Sequence, residues 1–270
     1  KALLRHGGRQ SKMGPSLFIF ERNGKLEGVL ATYVDDLLGA GGQWFNEYLL
    51  PELDKEFGFG SQELDEFRQT GKRIRKDMTT GEIFVSMPEY VDNMEAPRVS
   101  LERRNNVEAP LSPLEKHQLR KCNGSLQWLQ YQTRPDLAYG VSTSQGNIEN
   151  ATVKHLVQVG NLVRQAKKDR DFELRFRSHD LDSGGFLAIS GASLGGHWDD
   201  NHGGAVRSQG AFVVFFADRS LAHEGERGNF SLLDWRSRRI KRVVRSSFAA
   251  ETLSLAGAND AMQHLRGCLL

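Results

Sequence analysis

Cysteine, proline and long apolar runs are all scarce in this sequence of 270 residues. The two cysteines, Cys122 and Cys268, lie far apart and match neither a disulfide framework nor the ligand spacing of a zinc site. The longest apolar runs, such as 211–217, are far shorter than the roughly 18 residues that a membrane-spanning helix needs. Because the N-terminus also lacks the layout of a signal peptide, we expect an intracellular protein, cytoplasmic or nuclear, with no membrane contact.

An excess of either charge is also missing, since the formal net charge is only +2. Apolar residues make up 39% of the chain and charged residues 26%, which is enough to build a core and excludes the disordered class. The length favours two domains. The sequence does not begin with Met, so we expect it to be a piece of a longer protein.

Alternating and helical patterns together predict a mixed α/β (α+β) chain. Asn23-Gly24 separates two apolar runs, 17–20 and 28–33, and such a pair is the strongest short signal of a β-hairpin. A second hairpin is predicted through 79–82, and the proline-rich stretch 96–113 is predicted to be an irregular connection. Helices are predicted at 44–57, 114–131, 153–166 and 248–265, and strands at 172–176, 185–189, 209–217 and 232–235.

Asp35 and Asp36 are adjacent carboxylates that follow an apolar strand. Each repels the other and both resist burial, and a divalent cation would remove the conflict, since Mg²⁺ is commonly held by carboxylates and substrate phosphates. Two such ions can clamp the attacking and leaving oxygens in phosphoryl transfer. The alternative is a solvated surface turn, where such pairs are common.

Basic residues are unevenly distributed, with a dense group between 236 and 245. Such a group can contact phosphates, although a solvated face is the ordinary interpretation of a charge run. We predict a basic strand over Arg236 to Arg245 whose outward side chains contact nucleic acid. The candidate nucleic-acid-binding residues in it are Arg236, Arg238, Arg239, Lys241 and Arg242.

Other conspicuous residues have simpler interpretations. Ser246-Ser247 before the last helix is expected to cap that helix, and Trp235 is expected to be a core or edge aromatic. Loop histidines and aspartates between 197 and 223 match no zinc pattern, so we expect them to be solvated. They are His197, Asp199, Asp200, His202 and His223.

Four ordered motifs resemble copia-type retrotransposon Pol polyproteins. Tyr33-Val34-Asp35-Asp36 resembles the palm motif of their reverse transcriptases, and residues 124–129 with 133–141 resemble a hallmark of the group. Residues 151–176 resemble its connecting region, and 234–239 with 246–251 resemble its ribonuclease H portion. Together these motifs lie between residues 17 and 265.

The resemblance implies a domain layout and a chemistry. Residues 1–100 would be a partial palm with the hairpin, 101–180 a helical, thumb-like connection, and 181–270 a ribonuclease-H-like mixed sheet with helices. The activity would be RNA-directed DNA synthesis, with dNTPs, an RNA template and a DNA primer, followed by removal of RNA from the RNA–DNA hybrid. Asp35 and Asp36 would be catalytic residues that bind Mg²⁺ or Mn²⁺, and Tyr33 would lie under the primer end. For Arg134 and Asp136 we expect an ion pair with a structural role.

The sequence departs from this family at two catalytic positions. A third palm carboxylate is needed, but no aspartate precedes Asp35. The ribonuclease H strand carries Gly191-Ala192-Ser193 where the family has an Asp-Ala-Asp run. Glu251 would then be a vestigial catalytic acid, unless Asp199 and Asp200 took over, which loop geometry disfavours. We therefore expect a catalytically incomplete fragment.

Two alternatives stay open from the sequence. The chain could be a domesticated remnant that binds an RNA–DNA hybrid or duplex RNA without catalysing a reaction. It could also be the translated product of a pseudogene with a marginal fold. Salt-dependent binding of a hybrid without Mg²⁺-dependent extension would favour the first alternative over a polymerase. The absence of a cooperative thermal transition would support the second.

Overall fold

The structure of the chain is a computed structural model. It describes residues 2–146, 148–199, 205–223 and 225–269, and at 196–199, 205–207, 222 and 269 it describes the backbone alone. The chain forms two compact units, Lys1–Glu63 with Asp260–Leu270, and Leu64–Asn259. The domain boundaries near 100 and 180 that the sequence indicates stay predictions.

The first unit is built on a four-stranded antiparallel sheet with strand order β1-β2-β3-β4. A short helix α1 (Ala2–Arg5) precedes β1 (Arg9–Gln10), β2 (Leu17–Arg22), β3 (Lys25–Tyr33) and β4 (Asp36–Gly41). A π-helical turn (Phe45–Leu49) leads into α2 (Leu50–Phe57). Its core packs one face of the sheet against these helices and consists of Leu3, Phe18, Phe20, Leu30, Phe45, Leu49 and Leu53.

The middle of the second unit is mostly helical. Its helices are α3 (Pro88–Asp92), α4 (Leu101–Arg104), α5 (Pro113–Gln132), α6 (Ala138–Gln145) and α7 (Val153–Lys168), with a 3-10 turn at Pro135–Leu137. The longest of them, α5, starts at a capping box in which Ser112 and Glu115 bind each other's backbone N–H groups. Buried aliphatic residues of α3, α5, α6 and α7 form one core, centred on Leu119, Leu126, Leu156 and Val159.

Two further antiparallel sheets complete the second unit. One contains β5 (Glu66–Gln69), β6 (Lys72–Lys76), β7 (Ile83–Ser86) and β8 (Leu174–Phe176) in that order. The other contains β9 (Gly184–Asp199), β10 (Ala205–Asp218) and β11 (Phe230–Arg239), with β10 in the centre, and a 3-10 turn lies at Arg219–Ala222. Helix α8 (Ser247–Leu269) follows β11. Trp235 of β11 packs with Ala138 and Leu174, which joins this sheet to α6 and β8.

The mixed α+β class is confirmed. Asn23 and Gly24 both have positive φ, 52° and 74°, as a two-residue turn between β2 and β3 requires. Within the described residues every strand pair is antiparallel, including those of the last sheet, for which we predicted mixed directions. Its three strands are consecutive in sequence, whereas a parallel pair needs a long crossover connection.

Two local predictions were wrong. The predicted basic strand over 236–245 ends at Arg239, which pairs with Gln209 of β10, because the chain bends at 241 and 242. The stretch 96–113 is not irregular throughout, since it contains α4, whose first turn is capped when Ser100 Oγ accepts a hydrogen bond from Arg103 N–H.

Candidate functional site: an acidic hairpin and a basic cleft

The two adjacent aspartates lie at the tip of the β3–β4 hairpin. Tyr33 is paired with Asp36 across the hairpin, which leaves Val34 and Asp35 as a two-residue turn. Directly opposed residues project from the same face of a sheet, so Tyr33 and Asp36 share a face. Tyr33, Asp35 and Asp36 are all exposed. A ligand in solution can therefore reach the carboxylates.

The turn holds Val34 in a conformation that is costly for its residue type. Its φ is +52°, in the left-handed region that β-branched residues rarely adopt. Its side chain is 87% exposed, so packing does not compensate for the strain. Strained backbone of this kind occurs at functional sites, where the surrounding structure imposes it.

Glycines of β3 and β4 bring the hairpin directly onto Phe45, which is fully buried. A Cβ at Gly28 would lie 2.1 Å from Phe45 Cδ2, and a Cβ at Gly41 would lie 2.4 Å from Phe45 Cβ. Gly28 and Gly41 are paired across the hairpin, so both strands contact the same ring. The acidic turn therefore extends from two strands of the sheet that pack directly on the π-helical turn of the first unit.

The hairpin offers only part of a metal-binding site. Its two carboxylates are oxygen donors of the type that Mg²⁺ takes. Among the described residues no group of three or more His, Cys, Asp or Glu is placed to hold a metal ion. Because Mg²⁺ demands nearly octahedral coordination, the other ligands at Asp35 and Asp36 would be water, substrate phosphates or carboxylates from elsewhere.

Glu251 lies on α8, which is tied to the strand that carries Gly191-Ala192-Ser193. Ser254 Oγ lies 2.9 Å from the carbonyl oxygens of Gly191 and Ala211, to which its hydroxyl donates. Glu251 is one helical turn before Ser254 and is exposed. The structure therefore brings the predicted helix acid close to the predicted strand positions, and those positions supply no carboxylate.

The five basic residues that were predicted to bind nucleic acid come together in the second unit, whereas Tyr33, also predicted to do so, lies on the hairpin of the first unit. The five basic residues line one cleft of about 260 Å³ between the end of β11, the following residues and α8. The remaining walls are apolar or small: Gly210, Phe212, Ile240, Leu253, Ser254 and Gly257. Sequence reasoning found these cations but missed the cleft, since it placed them along one extended strand.

The structural interpretations of three other motifs are confirmed. Arg134 is buried, and its Nε and Nη2 each donate to the Asp136 carboxylate over 2.8 Å. Ser246 Oγ accepts from Ala249 N–H at the start of α8, as a cap does. Trp235 is buried and its Nε1–H donates to the Gln130 carbonyl oxygen over 2.8 Å.

The histidines and aspartates that we predicted to lie in loops are only partly described, and for His197 and Asp199 the loop prediction was wrong, because their backbone belongs to strand β9. Asp200 and His202 lie outside the described residues, and so do the side chains of His197 and Asp199. Their predicted roles stay predictions. His223 is described and is exposed.

A hydrogen-bonded chain of Asp218, His179 and Ser231 has no signal in the sequence, because its members are far apart. His179 Nδ1 lies 3.1 Å from Asp218 Oδ1 and its Nε2 lies 2.9 Å from Ser231 Oγ. The N–H of Asn229, and then His179, hold the pKa of Asp218 below its usual value. Ser231 is buried and accepts the Arg177 N–H, so this chain fastens the end of the sheet and does not present a nucleophile.

Comparison with known proteins finds a similarity to a transposon Pol polyprotein. The chain is similar along nearly its whole length to the retrovirus-related Pol polyprotein from transposon RE1 of Arabidopsis thaliana. The two are 26% identical over 274 residues, covering 97% of this chain and 17% of that protein. No protein-family model matches the chain. No helix in the part of the chain that the structure describes is long and apolar enough to cross a membrane.

Proposed function

We propose that this chain is part of a copia-type RNA-directed DNA polymerase, comprising a partial palm, a connection and a ribonuclease-H-like region. The observation that carries the proposal is the Tyr33-Val34-Asp35-Asp36 sequence at the tip of a hairpin packed on a sheet and a helix. Similarity to a transposon Pol polyprotein over 97% of the chain supports it.

The hairpin residues have distinct roles in this proposal. Asp35 and Asp36 bind Mg²⁺ or Mn²⁺, which supplies charge stabilisation for phosphoryl transfer from a dNTP. Tyr33, on the same sheet face as Asp36, lies under the primer end. The strained turn at Val34 places both carboxylates in solvent, where the phosphates of an incoming nucleotide can complete the coordination.

The chain alone is catalytically incomplete in this proposal. No aspartate precedes Asp35 in the sequence, so the third palm carboxylate must come from another segment. In the ribonuclease-H-like region Glu251 is the acid that matches the family pattern, and one carboxylate does not hold two Mg²⁺ ions.

A chimera tests the proposal. The isolated chain is expected to give no Mg²⁺-dependent primer extension on an RNA template. Fusion to the segment that precedes the matching region in the Arabidopsis relative is expected to restore extension, and Asp35→Asn with Asp36→Asn is expected to abolish it. An active chimera whose rate does not depend on these aspartates would contradict the assignment.

A second candidate function, binding of RNA–DNA hybrid without chemistry, is favoured by the basic cleft. Phosphate contacts release counterions, so the logarithm of the binding constant is expected to fall linearly with the logarithm of the salt concentration. Arg238→Gln is expected to reduce that slope by about 1. Filter binding of a hybrid across a salt series would measure this slope. A slope near zero would exclude binding of the hybrid through phosphate contacts.

A further inference from the structure

We propose that the basic cleft binds a phosphate monoester, either the terminal phosphate of a nucleic-acid strand or that of a free nucleotide. The inference rests on the nucleic-acid role proposed above and narrows it to one chemical group. It depends on the charge, shape and walls of the cleft.

Every charged residue that lines the cleft is basic. Among the described residues, the side chains of Arg236, Arg238 and Arg242 take part in no ion pair or hydrogen bond. Cations that line one small cleft repel one another, and an anion with more than one charge reduces this repulsion best. The planar donor fork of arginine matches phosphate oxygens in pairs. Charge therefore favours a phosphate monoester, which is a dianion, over a phosphodiester.

The backbone gives the cations a concave arrangement. Ile240 is buried and its N–H donates to the carbonyl oxygen of Ser208 in β10 over 2.8 Å. Lys241 and Arg242 follow Ile240, leave the strand and face the cleft together with α8. The basic residues therefore line a concave cleft.

The size of the cleft favours a chain end. At about 260 Å³ it is slightly smaller than the roughly 300–1,000 Å³ of ordinary small-ligand pockets. An internal phosphodiester brings two strand connections to the cleft. A terminal phosphate needs one entry only, so a strand end or a single nucleotide fits.

The walls provide an independent way to block the cleft. The Arg236 guanidinium carbon lies 5.5 Å from the centre of the Phe212 ring, which holds the arginine in place as a cation–π pair. A Cβ at Gly257 would lie 3.8 Å from Phe212 Cε1, an ordinary contact. A larger side chain at 257 therefore narrows the cleft without removing a charge.

The test uses the full chain and short single-stranded DNA of one sequence, with either a 5′-phosphate or hydroxyl groups at both ends. Fluorescence anisotropy is expected to show about tenfold tighter binding of the phosphorylated strand. AMP, but not adenosine, is expected to compete if the free nucleotide is a ligand. If the phosphorylated strand competes and AMP does not, the ligand is the phosphorylated end of a strand. Competition by AMP and competition by the strand alone both support a site for a phosphate monoester.

Variants test whether the preference for the phosphorylated strand arises in the basic cleft. Arg238→Gln with Arg242→Gln, and separately Gly257→Leu, are each expected to remove the preference for the phosphorylated strand. Arg98→Gln with Arg120→Gln removes the same charge from exposed positions outside the cleft and is expected to keep the preference. Thermal melting checks that each variant is folded.

Two results would overturn the inference: equal binding of both strands by the unmodified chain, or equal loss of preference in the control variant. Failure of the proposed function is a different result. In that case neither strand nor an RNA–DNA hybrid binds in a salt-dependent way, whereas failure of the inference alone leaves binding that does not depend on the strand end.

Discussion

Among the described residues, Arg134 has the largest fully buried side chain. Its Nη1 donates to the carbonyl oxygens of Ala166 and Asp169 over 3.2 and 3.1 Å, in addition to the pair with Asp136. The guanidinium carbon also lies 5.0 Å from the centre of the Phe172 ring. A buried charge with this many partners connects the 3-10 turn, the end of α7 and the segment before β8.

Removing this arginine is expected to be costly. Arg134→Met leaves the Asp136 carboxylate and two carbonyl groups without their donor, and a loss of about 3–5 kcal/mol in the free energy of unfolding is expected. Arg120→Met, at an exposed position, is expected to change it by less than about 0.5 kcal/mol. Urea denaturation measures both, and a similar small change in the two variants would show that the buried network is dispensable.

Glu115 makes stability depend on pH. The side-chain hydrogen bond from Arg103, with the Ser112 backbone, lowers the pKa of Glu115 from 4.5 to about 2. A carboxyl whose pKa is lower in the folded state stabilises the protein above its unfolded pKa. That stabilisation is lost as the pH falls from about 4.5 towards about 2.

Glu115→Gln is therefore expected to destabilise the chain by about 1–2 kcal/mol at neutral pH, with a smaller difference at acidic pH. Urea titrations of both proteins between neutral pH and pH values below 4.5 measure the difference. Glu108→Gln, at an exposed position, serves as the control with no expected pH-dependent difference. A difference that stays constant with pH would indicate that the ion pair with Arg103 is not its source.

At the scale of elements, the acidic hairpin depends on close approach between its backbone and Phe45. Gly41→Ala would place a methyl group 2.4 Å from Phe45 Cβ, and Phe45 is fully buried and cannot move aside. A loss of about 1–3 kcal/mol is expected from this overpacking. At the adjacent Gly42 a Cβ would lie 3.7 Å from the nearest atom, Glu27 Oε2.

Gly42→Ala is accordingly the matched control, with an expected change within about 0.5 kcal/mol. Thermal or urea unfolding compares the two alanine variants. Equal stability of the two would mean that the hairpin does not rest on Phe45, and the account of how the aspartates are positioned would need revision.

Elements whose determinants are local were predictable from the sequence. Asn23-Gly24 specified the β2–β3 turn, and the helical apolar spacing of 114–131 predicted α5 (Pro113–Gln132) to within one residue at each end. Elements that depend on distant partners were not predictable to their ends. β9 continues well beyond its apolar run, which ends at Ile189, because β10 offers it a ladder as far as Asp199. The pairing of β11 with β10 ends at Arg239, although the basic residues continue beyond it.

At the scale of the whole molecule, the two candidate sites also differ in whether their determinants are local or distant in sequence. The acid pair could be found from the sequence because its members are neighbours in one turn. The cleft could not be found, because it requires the bend after Ile240 and the packing of α8 through Ser254. The similarity to a transposon Pol polyprotein covers both regions of the chain.

Mn²⁺ binding tests the central claim, that Asp35 and Asp36 share a divalent cation with a nucleotide. Electron paramagnetic resonance of Mn²⁺ titrated into the chain with a dNTP is expected to show a bound population. Asp35→Asn with Asp36→Asn is expected to weaken that binding by at least about tenfold. Glu102→Gln with Glu108→Gln, at exposed positions outside the hairpin, is expected to leave it unchanged. Equal Mn²⁺ binding by the hairpin variant and the unmodified chain would contradict the account.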